Sequence, residues 1–264
     1  MILYKYVSRE AAERILETGS IGFTQSSYFN DPFDTPSYPK QENESIDDQL
    51  FGALQLMAKE RIWETNTGVL SLTRTPTNPL MWAHYADKHR GVVLGFDMNA
   101  MGLNDVERNF IPAQYGNIIY VSTRPNAQLI MKPELGLEVG STHNFRADHY
   151  EKLQRLFLHK PVCWAYEEEV RILKCLKGLN DEGGSTQSGD FVLAEGPGYP
   201  LFCYKFTPSA VKEMILGFRM DLQAGEDLVN QTSKRYPKLI FSECFLKPDS
   251  YGVGVRSYTS PGEE

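Results

Sequence analysis

Three consecutive glutamates, Glu167, Glu168 and Glu169, stand two residues before Arg171 in the stretch W-A-Y-E-E-E-V-R-I. On a strand, Glu167, Glu169 and Arg171 would share one face, with Tyr166, Val170 and Ile172 on the other. Two carboxylates about 7 Å apart on one strand face repel each other and cost stability. Sites that must stabilise a cation tolerate that cost. On a helix the same residues give a solvated i, i+4 pair between Glu167 and Arg171. From these residues alone both readings stay open.

A second candidate is the loop N-D-P-F-D, residues 30 to 34. Asn30, Asp31 and Pro32 are ordinary turn chemistry. Two carboxylates and an amide beside Phe29 and Phe33 would equally suit a loop that binds a ribose or a base. A third is M-W-A-H-Y, residues 81 to 85, where Tyr85 is the ring least explained by packing. The histidines point nowhere in particular: His84 and His89, and His143 and His149, are not spaced i, i+4, so no metal site is expected. There is no G-x-S-x-G elbow, Walker loop or G-x-G-x-x-G. Gly95 and Gly217 signal only close backbone approach within strands.

Bulk properties limit the classes. The chain has 264 residues, 41% hydrophobic and 23% charged, as expected of a soluble globular protein read as a single domain, 1–264. No apolar run approaches a membrane span, and M-I-L-Y-K-Y-V-S-R-E lacks the pattern of a secretory signal. The four cysteines are scattered without a C-x-x-C pair, which points to reduced thiols in a cytoplasmic protein. A net charge of -7 disfavours loose binding to nucleic acid.

The elements that must position these residues alternate without a steady βαβ rhythm, so the expected class is α+β. Strands are expected at 2–7, in S-I-G-F-T, at 68–73, at 92–97, in Y-G-N-I-I-Y-V, L-F-C-Y-K-F, E-M-I-L-G-F and K-L-I-F-S-E-C-F. A helix follows Ser8 and stops at Gly19, carrying Ala11, Ala12, Ile15 and Leu16 on one side. Another starts at Ser45, with Asp48 as its capping partner and Ile46, Leu50, Leu54 and Met57 on one face. Asn78 and Pro79 open a helix through Lys88. Helices also fit 146–160 and 221–236, and Thr207-Pro208 starts a short one. Residues 98–160 read as a helical, insertion-like region, 178–190 as a flexible loop and 251–264 as a loose tail.

Four segments taken together, L-Y-K-Y-x-S, F-N-D-P-F-D, M-W-A-H-Y-A-D-K-H-x-G-V-V-L-G-F-D and K-P-x-x-W-x-Y-E-E-E-V-R, resemble an uncharacterised family of bacterial cytoplasmic proteins. The order of elements also resembles the ADP-ribosyltransferase superfamily. That resemblance implies an ADP-ribosyltransferase-like split β-sandwich, two small mixed sheets with flanking helices, and NAD bound as substrate between them.

By the same resemblance Glu169 is the catalytic carboxylate on the ribose, and Glu167 orients the acceptor. Tyr85 stacks on nicotinamide with Tyr6 as a second wall, Lys5 contacts the adenosine ribose or a phosphate, and Ser71 supports the glutamate. Asn30 and Asp31 complete the cofactor-binding set. Lys5 departs from the superfamily's His or Arg, and S-L-T (71 to 73) departs from its Ser-Thr-Ser. The implied activity is ADP-ribosyl transfer or NAD hydrolysis, with a protein side chain, a nucleic-acid base or water as acceptor. A toxin or phage-defence role, with an antitoxin or immunity protein as partner, follows by association only. Two other classes stay open: a non-catalytic nucleotide- or protein-binding module, and a hydrolase with Glu167 and Glu169 as paired acid and base.

Overall fold

The computed structural model describes residues 1–29, 31, 65–123, 140–196 and 198–259. The helix expected from Ser45, carrying Ile46, Leu50, Leu54 and Met57, lies outside them, as does Asn30. The chain is a mixed α/β structure with a large mixed sheet, a small parallel sheet and few helices.

Strand β1 (Ile2–Val7) leads into α1 (Arg9–Thr18), and β2 (Ser20–Gln25) returns. Ser8 caps α1 by accepting from the Ala11 N–H, and Gly19 ends it in the left-handed region at φ 62°. After β3 (Thr67–Thr73), Asn78 caps α2 (Pro79–Tyr85) and β4 (Val92–Asp97) follows. Helix α2 therefore stops at Tyr85, short of the expected Lys88, because Asp87, Lys88 and His89 all take positive φ.

Residues 98–160 are not a helical region where they are described. They hold a 3-10 turn (Ala113–Tyr115), β5 (Ile119–Val121), a second 3-10 turn (Ala147–His149), α3 (Tyr150–Phe157) and the start of β6 (His159–Pro161). Bridges Ile111↔Leu173 and Asn117↔Val170 tie the first part of the segment to β7 (Glu169–Cys175), so there the backbone pairs with a strand rather than within a helix.

The expected loop at 178–190 forms most of a hairpin, β8 (Gly183–Thr186) and β9 (Gly189–Glu195), in which Gly189 takes φ 127°. Next come β10 (Pro200–Lys205), β11 (Val211–Leu216), α4 (Leu222–Arg235) and β12 (Ile240–Leu246). The expected loose tail contains β13 (Val253–Ser257), antiparallel to β12 with Val253 buried.

The large sheet runs β13-β12-β11-β4-β1-β3-β2-β10-β9-β8, with β7 on β3. Strand β7 takes one whole edge of β3, from Thr67↔Cys175 to Thr73↔Glu169. The other edge is shared: β1 joins through Tyr4↔Thr73, and β2 through Thr24↔Val69 and Gln25↔Gly68. Two arms of one sheet thus part at β3, where two separate small sheets were expected. Strands β11 and β12 pair in parallel, as do β5 and β6 in the small sheet.

Each face of the large sheet has its own core. Leu3, Val7, Leu70, Leu72, Leu94, Val170 and Ile172 pack beneath α1 and α4 with Leu16 and Leu228. On the opposite face Tyr6, Val93 and Ile215 pack with Met81 and Trp82 of α2, and Val69 and Leu173 pack with Leu153, Leu156 and Phe157. The alternation of β1 sends Tyr4 and Tyr6 to the α2 side and Leu3, Lys5 and Val7 to the α1 side. Lys5 is the exception among the apolar residues of its face. Its side chain occupies the opening between the arms, where Nζ donates to the Ser71 carbonyl at 2.9 Å.

Candidate functional site

Where the arms part, the α2 side of the sheet carries a pocket of about 190 Å³. Its lining includes Tyr4, Lys5 and Tyr6 of β1, Ser71 and Thr73 of β3, Met81 and Tyr85 of α2, Lys160, Glu167, Glu169, Arg171 and Phe29. Two pieces of local structure bring the charges together. A 3-10 turn (Val162–Glu167) ends at Glu168 in the left-handed region, φ 45°, and β7 begins at Glu169. The glutamate triplet is therefore neither wholly helix nor wholly strand. Only Glu169 and Arg171 are strand neighbours, and Glu167 reaches the same place from the turn. The small sheet then sets Tyr120 and Lys160 in register beside them.

The polar groups form one network. Lys160 Nζ donates to Glu167 Oε2 at 2.6 Å and to Glu169 Oε2 at 3.0 Å. Arg171 grips Glu169 twice, Nε to Oε1 at 2.7 Å and NH2 to Oε2 at 3.2 Å, while its NH1 donates to the Phe157 carbonyl at 2.9 Å. Ser71 lies in the same pocket lining and helps to hold Glu169 ionised. Tyr85 Oη donates to Glu167 Oε1 at 2.6 Å. The Glu169 N–H donates to Tyr120 Oη at 2.9 Å. Asn78 Nδ2 donates to the Tyr166 carbonyl at 2.6 Å, so the start of α2 is fastened to the turn that carries Glu167. Phe29 lies against the Arg171 guanidinium, 5.2 Å from ring centre to Cζ.

Lys160, Glu167, Glu169 and Arg171 are all buried. Burial alone would raise the Glu169 pKa, but the charges of Arg171 and Lys160 and hydrogen bonds from Arg171 and Ser71 outweigh it and hold it at about 2. Glu169 is therefore a carboxylate at any physiological pH. Burial lowers the Lys5 pKa, opposed by the Glu169 charge. Burial, the hydrogen bond to Glu167 and the nearby carboxylate charge raise Tyr85 well above the usual phenol range, so its hydroxyl stays a donor. Burial also pushes Tyr120 up to about 12, against the hydrogen bond from the Glu169 backbone.

Six of the residues singled out from sequence line this pocket: Lys5, Tyr6, Ser71, Tyr85, Glu167 and Glu169. Asp31 is buried but is not among the lining residues. Tyr6 is anchored in packing, edge-on to Trp82 at 5.4 Å with its hydroxyl on the Thr75 carbonyl at 3.0 Å. His84 is exposed beside the site. Sequence reasoning did not assign Lys160, Arg171, Tyr120, Tyr4 or Phe29 to the site. Lys160 stands in the motif K-P-x-x-W-x-Y-E-E-E, yet only the 3-10 turn between it and the glutamates closes the distance. Among the described residues no group of three or more His, Cys, Asp or Glu could hold a metal ion, and the four cysteines are free. Among them, too, no helix is long and apolar enough to cross a membrane.

Fold and site together define a mixed α/β protein with a buried carboxylate–cation network at the parting of its main sheet. A model of a protein family of unknown function, DUF2971, matches residues 81–172. No curated protein and no solved structure matches the chain. The matched span holds Tyr85, Lys160, Glu167, Glu169 and Arg171, whereas Lys5, Tyr6 and Ser71 lie before it.

Proposed function

We propose that the pocket takes the nicotinamide riboside end of NAD and that the protein is an NAD-dependent ADP-ribosyltransferase or NAD glycohydrolase. The observation that carries this reading is the convergence of Lys5, Ser71, Tyr85, Glu167 and Glu169 on one pocket. A volume near 190 Å³ suits one ring and part of a sugar, with the rest of the dinucleotide along the rim.

Nicotinamide leaves with the bonding electrons while positive charge builds on the ribose, and the permanently ionised Glu169 stabilises that charge. A carboxylate has about four acceptor positions. Three of those of Glu169 are taken, by two Arg171 donors and Lys160. A ribose hydroxyl donates to the remaining position, beside Ser71. Glu167 retains acceptor capacity beyond Tyr85 and Lys160 and orients the acceptor: protein, nucleic-acid base or water.

The test is release of nicotinamide from labelled NAD. Glu169→Gln is expected to slow release by about 10²- to 10³-fold with NAD binding retained, and Tyr85→Phe to weaken both. Unchanged turnover in Glu169→Gln would sink the mechanism.

A second reading rests on the same grip of cations on Glu169. A carboxylate held by two fixed cations also suits a non-catalytic nucleotide-binding module. NAD binding by calorimetry without nicotinamide release would favour it. In the paired acid-base hydrolase, Glu169 cannot be the acid, because a carboxyl group held near pKa 2 has no proton to deliver at neutral pH, so that reading requires Glu167 as the proton donor.

A further inference from the structure

Lys5 borders two cavities. Besides the pocket above, it lines a cleft of about 410 Å³ between α1 and the β2–β10–β9 arm. Residues on the arm's outer face, alternating with the core residues Phe23, Phe191 and Tyr204, form the floor, and register sets them side by side: Ser20 opposite Lys205, Gly22 opposite Cys203, and Cys203 opposite Val192. Several are small, including Ser20, Gly22 and Ala194, and Ala11 of α1 is small as well. The concavity thus follows from the sequence. Ile15, Ile21 and Leu201 make its body apolar.

Its charge has one sign. Lys5, Arg14 and Lys205 line the cleft and no described lining residue is acidic, in a chain whose net charge is -7. Arg14 and Lys205 are exposed at its rim. The Arg14 charge reaches the floor: burial raises the Cys203 thiol pKa, while a hydrogen bond with Ser20 and the Arg14 charge pull against it.

We propose that this cleft is a second binding site, for a small organic anion with an apolar body, separate from the pocket of the carboxylate network and joined to it through Lys5. An apolar body desolvates the aliphatic walls, and the anionic group meets Arg14 and its neighbours at the mouth. The assignment does not depend on NAD chemistry, and its readout is binding alone.

The experiment titrates the full-length protein with 8-anilinonaphthalene-1-sulfonate, followed by fluorescence, against its uncharged parent amine. Saturable one-site binding of the sulfonate is expected, with the amine weaker by about tenfold or more. Arg14→Glu should cost a similar factor, and Ala194→Phe, which fills the floor, should abolish the signal while the melting temperature holds. Octanoate and adenosine monophosphate serve as competitors, and displacement by either identifies the kind of body the cleft prefers. Equal sulfonate affinity in wild type, Arg14→Glu and Ala194→Phe would overturn the assignment, as would displacement by neither competitor.

Discussion

Replacing Lys160 with methionine keeps an apolar stem and removes the cation shared by two buried carboxylates. Lys160 Nζ lies 2.6 Å from Glu167 Oε2 and 3.0 Å from Glu169 Oε2, so those oxygens are under about 6 Å apart. At an effective dielectric near 20, like charges about 6 Å apart repel by about 3 kcal/mol. Removing one partner from a buried ion pair costs about 3–5 kcal/mol in general, and Lys160→Met should fall in that range at neutral pH. Urea unfolding followed by circular dichroism measures it.

The sign of the pH dependence is the sharper check. In the variant, one proton entering the folded pair relieves the repulsion, so the folded state binds protons more tightly than the unfolded chain. Stability must then rise as pH falls from 7 toward 5, a window in which the Glu169 contribution of wild type is constant. Adding Glu167→Gln to Lys160→Met deletes the repulsion outright and should recover most of the loss. A cost below about 1 kcal/mol, with no pH dependence, would mean that the carboxylates are hydrated and the network contributes little.

In wild type, Glu169 is depressed from 4.5 to about 2, so its contribution is fully present above pH 4.5 and lost as pH falls toward 2. Denaturation midpoints across that window should drop steeply for wild type and be flatter for Glu169→Gln. Gly116 leaves no room for a side chain: a Cβ there would sit 1.9 Å from the Arg171 carbonyl oxygen. Gly116→Ala should destabilise by about 3 kcal/mol or more and loosen Arg171 from Glu169, read as a lowered melting temperature.

Most regular elements were legible because local signals and tertiary packing agree. Ser8 and Gly19 bound α1, and V-V-L-G-F-D is buried from end to end but for Asp97. Failures came where long-range pairing decides. Val253–Ser257 is a five-residue edge strand whose pattern shows only against β12. The glycines at 183, 184 and 189 read as flexibility but accept positive φ in a hairpin. At the site, Tyr85 and the glutamates were legible as unusual residues for their elements, whereas Lys5 and Ser71 entered only through the resemblance. Lys160 was not, since no periodicity links residue 160 to residues 167 and 169 when a 3-10 turn intervenes.

That turn also explains how three adjacent glutamates coexist. Had the triplet been all strand, Glu167 and Glu169 would have stood on one face with no cation between them. Had it been helix, Glu167 would have paired with Arg171 in solvent. The left-handed Glu168 instead turns the chain so that Glu168 is exposed, while its neighbours face each other across Lys160. The family-matched span 81–172 supplies this whole network and Tyr85. Lys5 and Ser71, from the first and third strands, add the cation at the parting of the sheet and a hydroxyl in the pocket wall. A fragment limited to the matched span would therefore keep the four charges but lack this side of the pocket.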